Sequence, residues 1–180
     1  MKKILILLLV VVFSLPQLVA QESTFVKGDK VLNLGLGLGS IYYSGLGYKS
    51  QIPPVSASFE VGIVDNILEK GVIGVGGYFG YSSYKYSSDW KTSNLIIGAR
   101  GNFHYPLVNK LDTYTGLMIG YNVVSNSSLG AYSGIYSGSA SRIVSAWFVG
   151  GRYYFSENFA VMAELGYGVT YLNLGVALKF

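Results

Sequence analysis

His104 is the only histidine of the chain, set in the stretch NFHYP, and no cysteine accompanies it. An imidazole can serve as a general base or bind a metal. Each task needs company: a nucleophile within hydrogen-bond reach, or further His, Cys or clustered carboxylates. The acidic residues are scattered singly, so spacing assembles no nucleophile–base pair and no ligand set. No catalytic residue, metal or cofactor is therefore expected. GVGGYFG has the glycine density of a dinucleotide loop but no helix pattern after it, which that motif requires. The NSS at Asn126 fits a glycosylation acceptor and has no other support. Six further charged residues, Glu60, Arg100, Arg142, Arg152, Glu164 and Lys179, interrupt stretches of small residues. Their meaning depends on the elements that carry them.

Those elements read as strands. Apolar residues recur at every second position, and no stretch beyond residue 20 combines three–four spacing with a helix cap. The predicted strands are 29–39, 55–64, 72–83, 94–105, 113–124, 142–155, 159–168 and 172–180. The first sets Leu32, Leu34, Leu36 and Leu38 against Asn33, Gly35 and Gly37. The last sets Leu172, Leu174, Val176, Leu178 and Phe180 against Asn173, Gly175, Ala177 and Lys179. Glu60, Arg100, His104, Arg142, Arg152 and Glu164 fall on the small-residue faces, as Lys179 does. Connections alternate between short (NILEKG, PLVNKL, SEN) and long, rich in Ser, Gly and Tyr; only the last, near Val169, breaks the alternation by being tight.

The N-terminus has a basic head, Met1-Lys2-Lys3, an apolar run of ILILLLVVVFSL and a small Ala20. That is the layout of a secretory signal peptide, and the run is too short to span a membrane comfortably. Residues 1–20 are read as that signal, 21–28 as a short periplasmic segment and 29–180 as one domain. The formal charge of +4 falls to +2 once Lys2 and Lys3 leave, too small an excess to argue for nucleic acid. Only 12% of the residues are charged while 51% are hydrophobic, and a soluble surface needs roughly twice that charge.

Period two does not say which face meets solvent. A soluble barrel would put the large apolar set inside and would need an outer face rich in Lys and Glu. Here the second face is Gly, Ser and Asn, a poor exterior but a good narrow lumen. The expected fold is all-β: an eight-stranded antiparallel up-and-down transmembrane barrel, apolar side outward to lipid. Long connections at one end and short turns at the other fit such a barrel, as do aromatic residues near strand ends. Trp147, nearer mid-strand, does not fit that girdle. With its signal peptide, eight strands and terminal Leu174, Val176, Leu178 and Phe180, the chain resembles the small OmpA/OmpX-type outer-membrane barrels. The resemblance implies that this terminal row is the signal read by the insertion machinery. It also implies a bacterial outer-membrane location, lipid and lipopolysaccharide as surroundings, and a monomer. OmpA-type proteins often continue into a peptidoglycan-binding domain, which this chain is expected to lack.

Two roles follow. The lumen set, Glu60, Arg100, His104, Arg152, Glu164 and Lys179, is expected to form a plug of ion pairs, with Glu164 pairing to Arg152 and Glu60 to Arg100. Alternatively it lines a narrow path for small solutes or ions. The loop aromatics Tyr42, Tyr43, Tyr48, Tyr84, Tyr86, Trp90, Tyr132 and Tyr136, set among Ser and Gly, have the composition of a contact surface for an unidentified partner. A lipid A-modifying enzyme is the weaker alternative, because the resemblance would place such chemistry at the outer leaflet and His104 lies near the short-turn end.

Overall fold

Among the described residues nine strands run in chain order: β1 (Lys30–Ser40), β2 (Tyr48–Ile67), β3 (Gly71–Tyr86), β4 (Trp90–Val108), β5 (Leu111–Ser128), β6 (Ser137–Ser139), β7 (Arg142–Tyr154), β8 (Phe159–Tyr167) and β9 (Thr170–Lys179). This computed structural model describes residues 23–40, 48–86, 90–128 and 137–180. The signal-peptide segment lies outside them, as do Tyr42, Tyr43, Tyr132 and Tyr136. Both β6 and β7 pair with β5, so they are two pieces of one stave and the sheet has eight. Every neighbour is antiparallel; β1 pairs with β9, and β4 with β5, which closes the ring. A closed ring leaves no sheet edge with unpaired amides, as a hydrocarbon surrounding demands.

The alternation becomes two faces. On β8 exposure alternates strictly, with Ala160, Met162 and Glu164 buried between exposed Val161, Ala163 and Leu165. Leu117 and Ile119 on β5 are 65% and 63% exposed. Large apolar side chains this open, repeated around the ring, exceed what a water-facing surface carries. They are accounted for by lipid.

The lumen side is crowded. A Cβ on Gly175 would run into the main-chain carbonyl of Leu34, which cannot swing aside. Gly175→Ala is therefore expected to cost roughly 1–3 kcal/mol, read by urea unfolding of refolded protein in vesicles. Gly101 faces outward with open space at its Cβ, so Gly101→Ala is the neutral control.

Strands β2 to β5 are longer than predicted, at 20, 16, 19 and 18 residues. A tilted spanning strand needs about 9–11, so this part of the wall continues beyond the bilayer. The predicted loops are in part strand: Tyr48, Tyr84, Tyr86 and Trp90 all sit in ladders, with Tyr48↔Tyr86 and Tyr86↔Trp90 in register. Ser- and Tyr-rich sequence keeps every backbone amide and so can go on pairing. The Pro53–Pro54 step, which has no such amides, falls at the register shift between Ile52 and Val55, where a strand tolerates proline.

Opposite this tall wall, β8 and β9 have only 9 and 10 residues. Their tight turn lowers the rim there and explains Trp147. It pairs with Tyr167 at the very end of β8, and Tyr167 lies 6.4 Å from Tyr171 across the turn. Trp147 is mid-strand on β7 yet part of the aromatic rim of its neighbours.

Candidate functional site

The lumen charges gather into two clusters. The lower one centres on Arg152, which is fully buried. Arg152 Nη1 donates to Asp112 Oδ2 at 3.0 Å, its cross-strand neighbour. Nη2 donates to Glu60 Oε2 at 2.5 Å, on the stave diametrically opposite. His104 completes the group: Nε2 meets Glu60 Oε1 at 2.6 Å and Nδ1 meets Asp112 Oδ1 at 2.8 Å. Carboxylates only accept, so only a doubly protonated ring donates at both ends. Two cations and two anions then close a neutral, buried ring. Asn102 Nδ2 adds a hydrogen bond to Glu60 Oε1 at 2.7 Å.

The upper cluster is Arg100 with Glu164. Arg100 Nη2 donates to Glu164 Oε1 at 2.6 Å, while the guanidinium lies 3.9 Å over the Phe148 ring. Ser58 and Asn33 extend it, through Arg100 Nη1 to Ser58 Oγ at 3.3 Å and Asn33 Nδ2 to the same oxygen at 3.1 Å. Tyr114 joins the clusters. Its ring lies under Arg152 at 4.6 Å and beside His104 at 5.2 Å, and its hydroxyl donates to Glu164 Oε1 at 2.9 Å.

The expected pairings are thus exchanged. Arg152 pairs with Glu60 and Asp112 rather than Glu164, and Arg100 with Glu164 rather than Glu60. Register is the reason. Arg152 sits opposite Asp112 on one side and Met162 on the other, while Glu164 sits opposite Gly150, one lumen position higher. Arg142 shares the lumen-facing parity but lies exposed at the far end of β7. Lys179 belongs to the mouth: Nζ donates to the Thr24 carbonyl at 3.1 Å and lies 3.6 Å from Asp29.

Sequence reasoning missed four participants. Tyr114 already lay on the inward parity of the predicted strand 113–124, and Asp112 would have emerged by running that strand back to its true start at Leu111. Phe148 lay on the inward parity of a recognised strand. Phe25 carried no signal. It precedes β1 in the expected periplasmic segment, yet only 1% of it is exposed, stacked 4.2 Å from His104. The backbone locks it there through Gly28 N to Gly62 O at 2.9 Å and Gly62 N to Asp29 O at 3.0 Å. Phe25→Ala is expected to release this segment without unfolding the barrel. Amide exchange at Gly28 and Gly62 should accelerate while the global unfolding midpoint holds; unchanged exchange would show that the ring does not anchor it.

This arrangement suits structure better than chemistry. Both nitrogens of His104 are engaged, and the Arg152 guanidinium occupies the place between Glu60 and Asp112 where a cation would bind. Among the described residues no group of His and carboxylates could hold a metal ion. Of the predicted contact aromatics, Tyr84 is buried and faces the lumen, whereas Trp90 is 41% exposed. Leu174 and Phe180 are exposed on the outer side, with Val176 and Leu178 half-buried among them.

A closed ring of eight antiparallel staves, greasy outside and ion-paired within, is the fold of the small outer-membrane β-barrels, and the chain has that fold. Solved structures of that class share the fold. Ail, the attachment invasion locus protein of Yersinia pestis, is 16% identical with a TM-score of 0.55, over 86% of this chain and 100% of that one. The N-terminal barrel domain of Pseudomonas aeruginosa OprF is 16% identical with a TM-score of 0.54, over 86% and 98%. The outer membrane protein OprG from the same species is 11% identical with a TM-score of 0.59, over 88% and 99%. No family model and no curated protein matches the sequence.

Proposed function

We propose that this barrel has a sealed lumen and works at the cell surface, as a monomer, through the tall outer wall of β2 to β5 and the connections it carries. The observation that supports a sealed lumen is the unbroken chain of contacts from Phe25 through His104, Arg152 and Tyr114 to Glu164 and Arg100. It spans the lumen with side chains that are nearly all fully buried. The space left beside Arg100, Phe148, Glu164 and Asn173 is about 30 Å³, room for roughly two water molecules. A surface role draws on the exposed Trp90 and the remaining tyrosines, Tyr42, Tyr43, Tyr132 and Tyr136. It is in keeping with a fold shared with an attachment invasion locus protein. The outward row Leu174, Val176, Leu178 and Phe180 is assigned to recognition by the insertion machinery.

A second reading, a narrow path for ions or small solutes, has one observation in its favour. Several buried lumen atoms, among them Asn33 Oδ1, Asn173 Oδ1 and Arg100 Nε, have no protein partner, and a thread of water would satisfy them. Planar bilayers separate the two. The sealed barrel is expected to be silent; stable, reproducible conductance steps from the purified protein would defeat it in favour of the channel.

A further inference from the structure

The outer extension of the wall carries an arrangement that the lumen does not explain. Lys49 on β2 lies directly opposite Lys85 on β3, and Lys85 directly opposite Lys91 on β4. Residues paired in this way share a face. The face is the outer one by alternation, since Lys85 shares the parity of Val75 and Phe79, which are exposed on β3. Like charges set directly across a sheet destabilise it, and here three lysines are in line. No described side chain forms an ion pair with any of them.

Nor is there a general supply of anions nearby. Among the described residues the acids are Asp29, Glu60, Asp65, Glu69, Asp112, Glu157 and Glu164. All lie in the lumen or at the short-turn end. The outer end has Lys49, Lys85, Lys91 and Arg142. Asp89, outside the described residues, can offset only one of these cations. A cationic row with no counter-charge among the described residues, and more charge than Asp89 could offset, is a recognition element for an external anion.

Its height says which. On β3 and β4 the outward residues below the lysines are Ser83 and Ser93, then Tyr81 and Leu95. The Tyr81 hydroxyl donates to Ser93 Oγ at 3.4 Å. On these two strands the order is apolar residues, serines, lysines, with Ser83 itself fully covered; on β2 the exposed Ile52, opposite Ser83, carries the apolar belt up to the serine level. At about 3.3 Å per residue and a tilt of about 40°, the row stands roughly 10 Å above Tyr81 and Leu95 and roughly 5 Å above Ile52. That is the headgroup layer of the outer leaflet, and lysine stems flex to meet it.

We propose that Lys49, Lys85 and Lys91 form a docking row for the phosphates of outer-leaflet glycolipid, the lipid A part of lipopolysaccharide. The proposal rests on the reading of the chain as a surface-acting membrane barrel and deepens it by naming a partner. Folded protein in neutral detergent is titrated with lipid A bearing its phosphates, with lipid A stripped of them, and with inorganic phosphate, following tryptophan fluorescence. Phosphorylated lipid A should bind. The triple variant Lys49→Gln, Lys85→Gln, Lys91→Gln should bind about a hundredfold more weakly, from roughly fivefold per lysine, and the corresponding Lys→Arg triple should retain binding. Undiminished binding by the Gln triple, or equal binding of stripped lipid A, overturns the proposal. So does inorganic phosphate that competes at equal concentration, because the site would then be a simple anion site. Heat-dependent gel migration verifies folding; if the triple fails that check, Lys85→Gln alone, at the centre of the row, should lose about fivefold. Conductance in bilayers would remove the sealed lumen and leave this result standing, so the two readings fail separately.

Discussion

Arg152→Met is expected to destabilise the barrel by about 3–5 kcal/mol, the cost of breaking a buried charge network by removing one partner. Arg152 is the arginine placed between Glu60 and Asp112, with the His104 imidazole bridging the same two carboxylates. Both carboxylates are almost wholly buried and would be left facing each other with only His104 between them. Met has nearly the volume of the arginine stem, so the loss is of charge and donors more than of packing. Reversible urea unfolding in lipid vesicles measures it. The companion variant, Arg152→Met with Glu60→Gln and Asp112→Asn, removes the stranded charges and should recover most of the loss, since a neutral replacement of a buried network is often tolerated. The three effects must not add, because the side chains share one cluster. A loss under about 1 kcal/mol for Arg152→Met would put the pair in the range of solvated ion pairs. The lumen would then be wet at this level, and the channel reading would gain.

How far the sequence reached depends on the period of the element. Alternation of two fixes which side each residue takes, and it put Glu60, Arg100, His104, Arg152, Glu164 and Lys179 on one parity; the first five are buried and Lys179 is half-buried at the mouth. It carries no information on height relative to strands elsewhere in the ring. Height follows from register, and register from the stagger of the closed sheet. That is why the partners of Arg152 and Arg100 were exchanged. Strand ends were harder still. Tyr84, Lys85, Tyr86, Trp90 and Lys91 look like loop by composition, yet they continue the ladder as well as valine would. Phe25 lies in a segment with no period at all, and its burial depends on a backbone clasp to Gly62 that only the folded barrel brings within reach. Conversely, the tight β8–β9 turn was read correctly, and it made the mid-strand Trp147 an aromatic rim residue once Tyr167 was known to be its neighbour.

Leu174→Arg tests the membrane itself. Leu174 points outward from β9, 43% exposed, between Leu36 and Ala163 on the neighbouring staves. Arginine near the bilayer midplane on the lipid side of a barrel costs roughly 2–4 kcal/mol, falling to about 0–1 near the interfaces. Leu178, two outward positions nearer the short-turn end, is therefore the informative comparison: Leu178→Arg should cost little, because its guanidinium reaches the headgroups. The inward neighbour is a worse control than its parity suggests. Asn173 already crowds Gly35, where a Cβ would come within 2.5 Å of its side chain, so Asn173→Arg would mix overpacking with charge. Unfolding both leucine variants in vesicles gives the result as a difference. A gap of about 2 kcal/mol or more between positions 174 and 178 is the signature of a hydrocarbon gradient, which neither a water-facing sheet nor a packed protein interface produces. Equal costs would mean that depth does not matter, and the outward row would then have to be explained by something other than lipid.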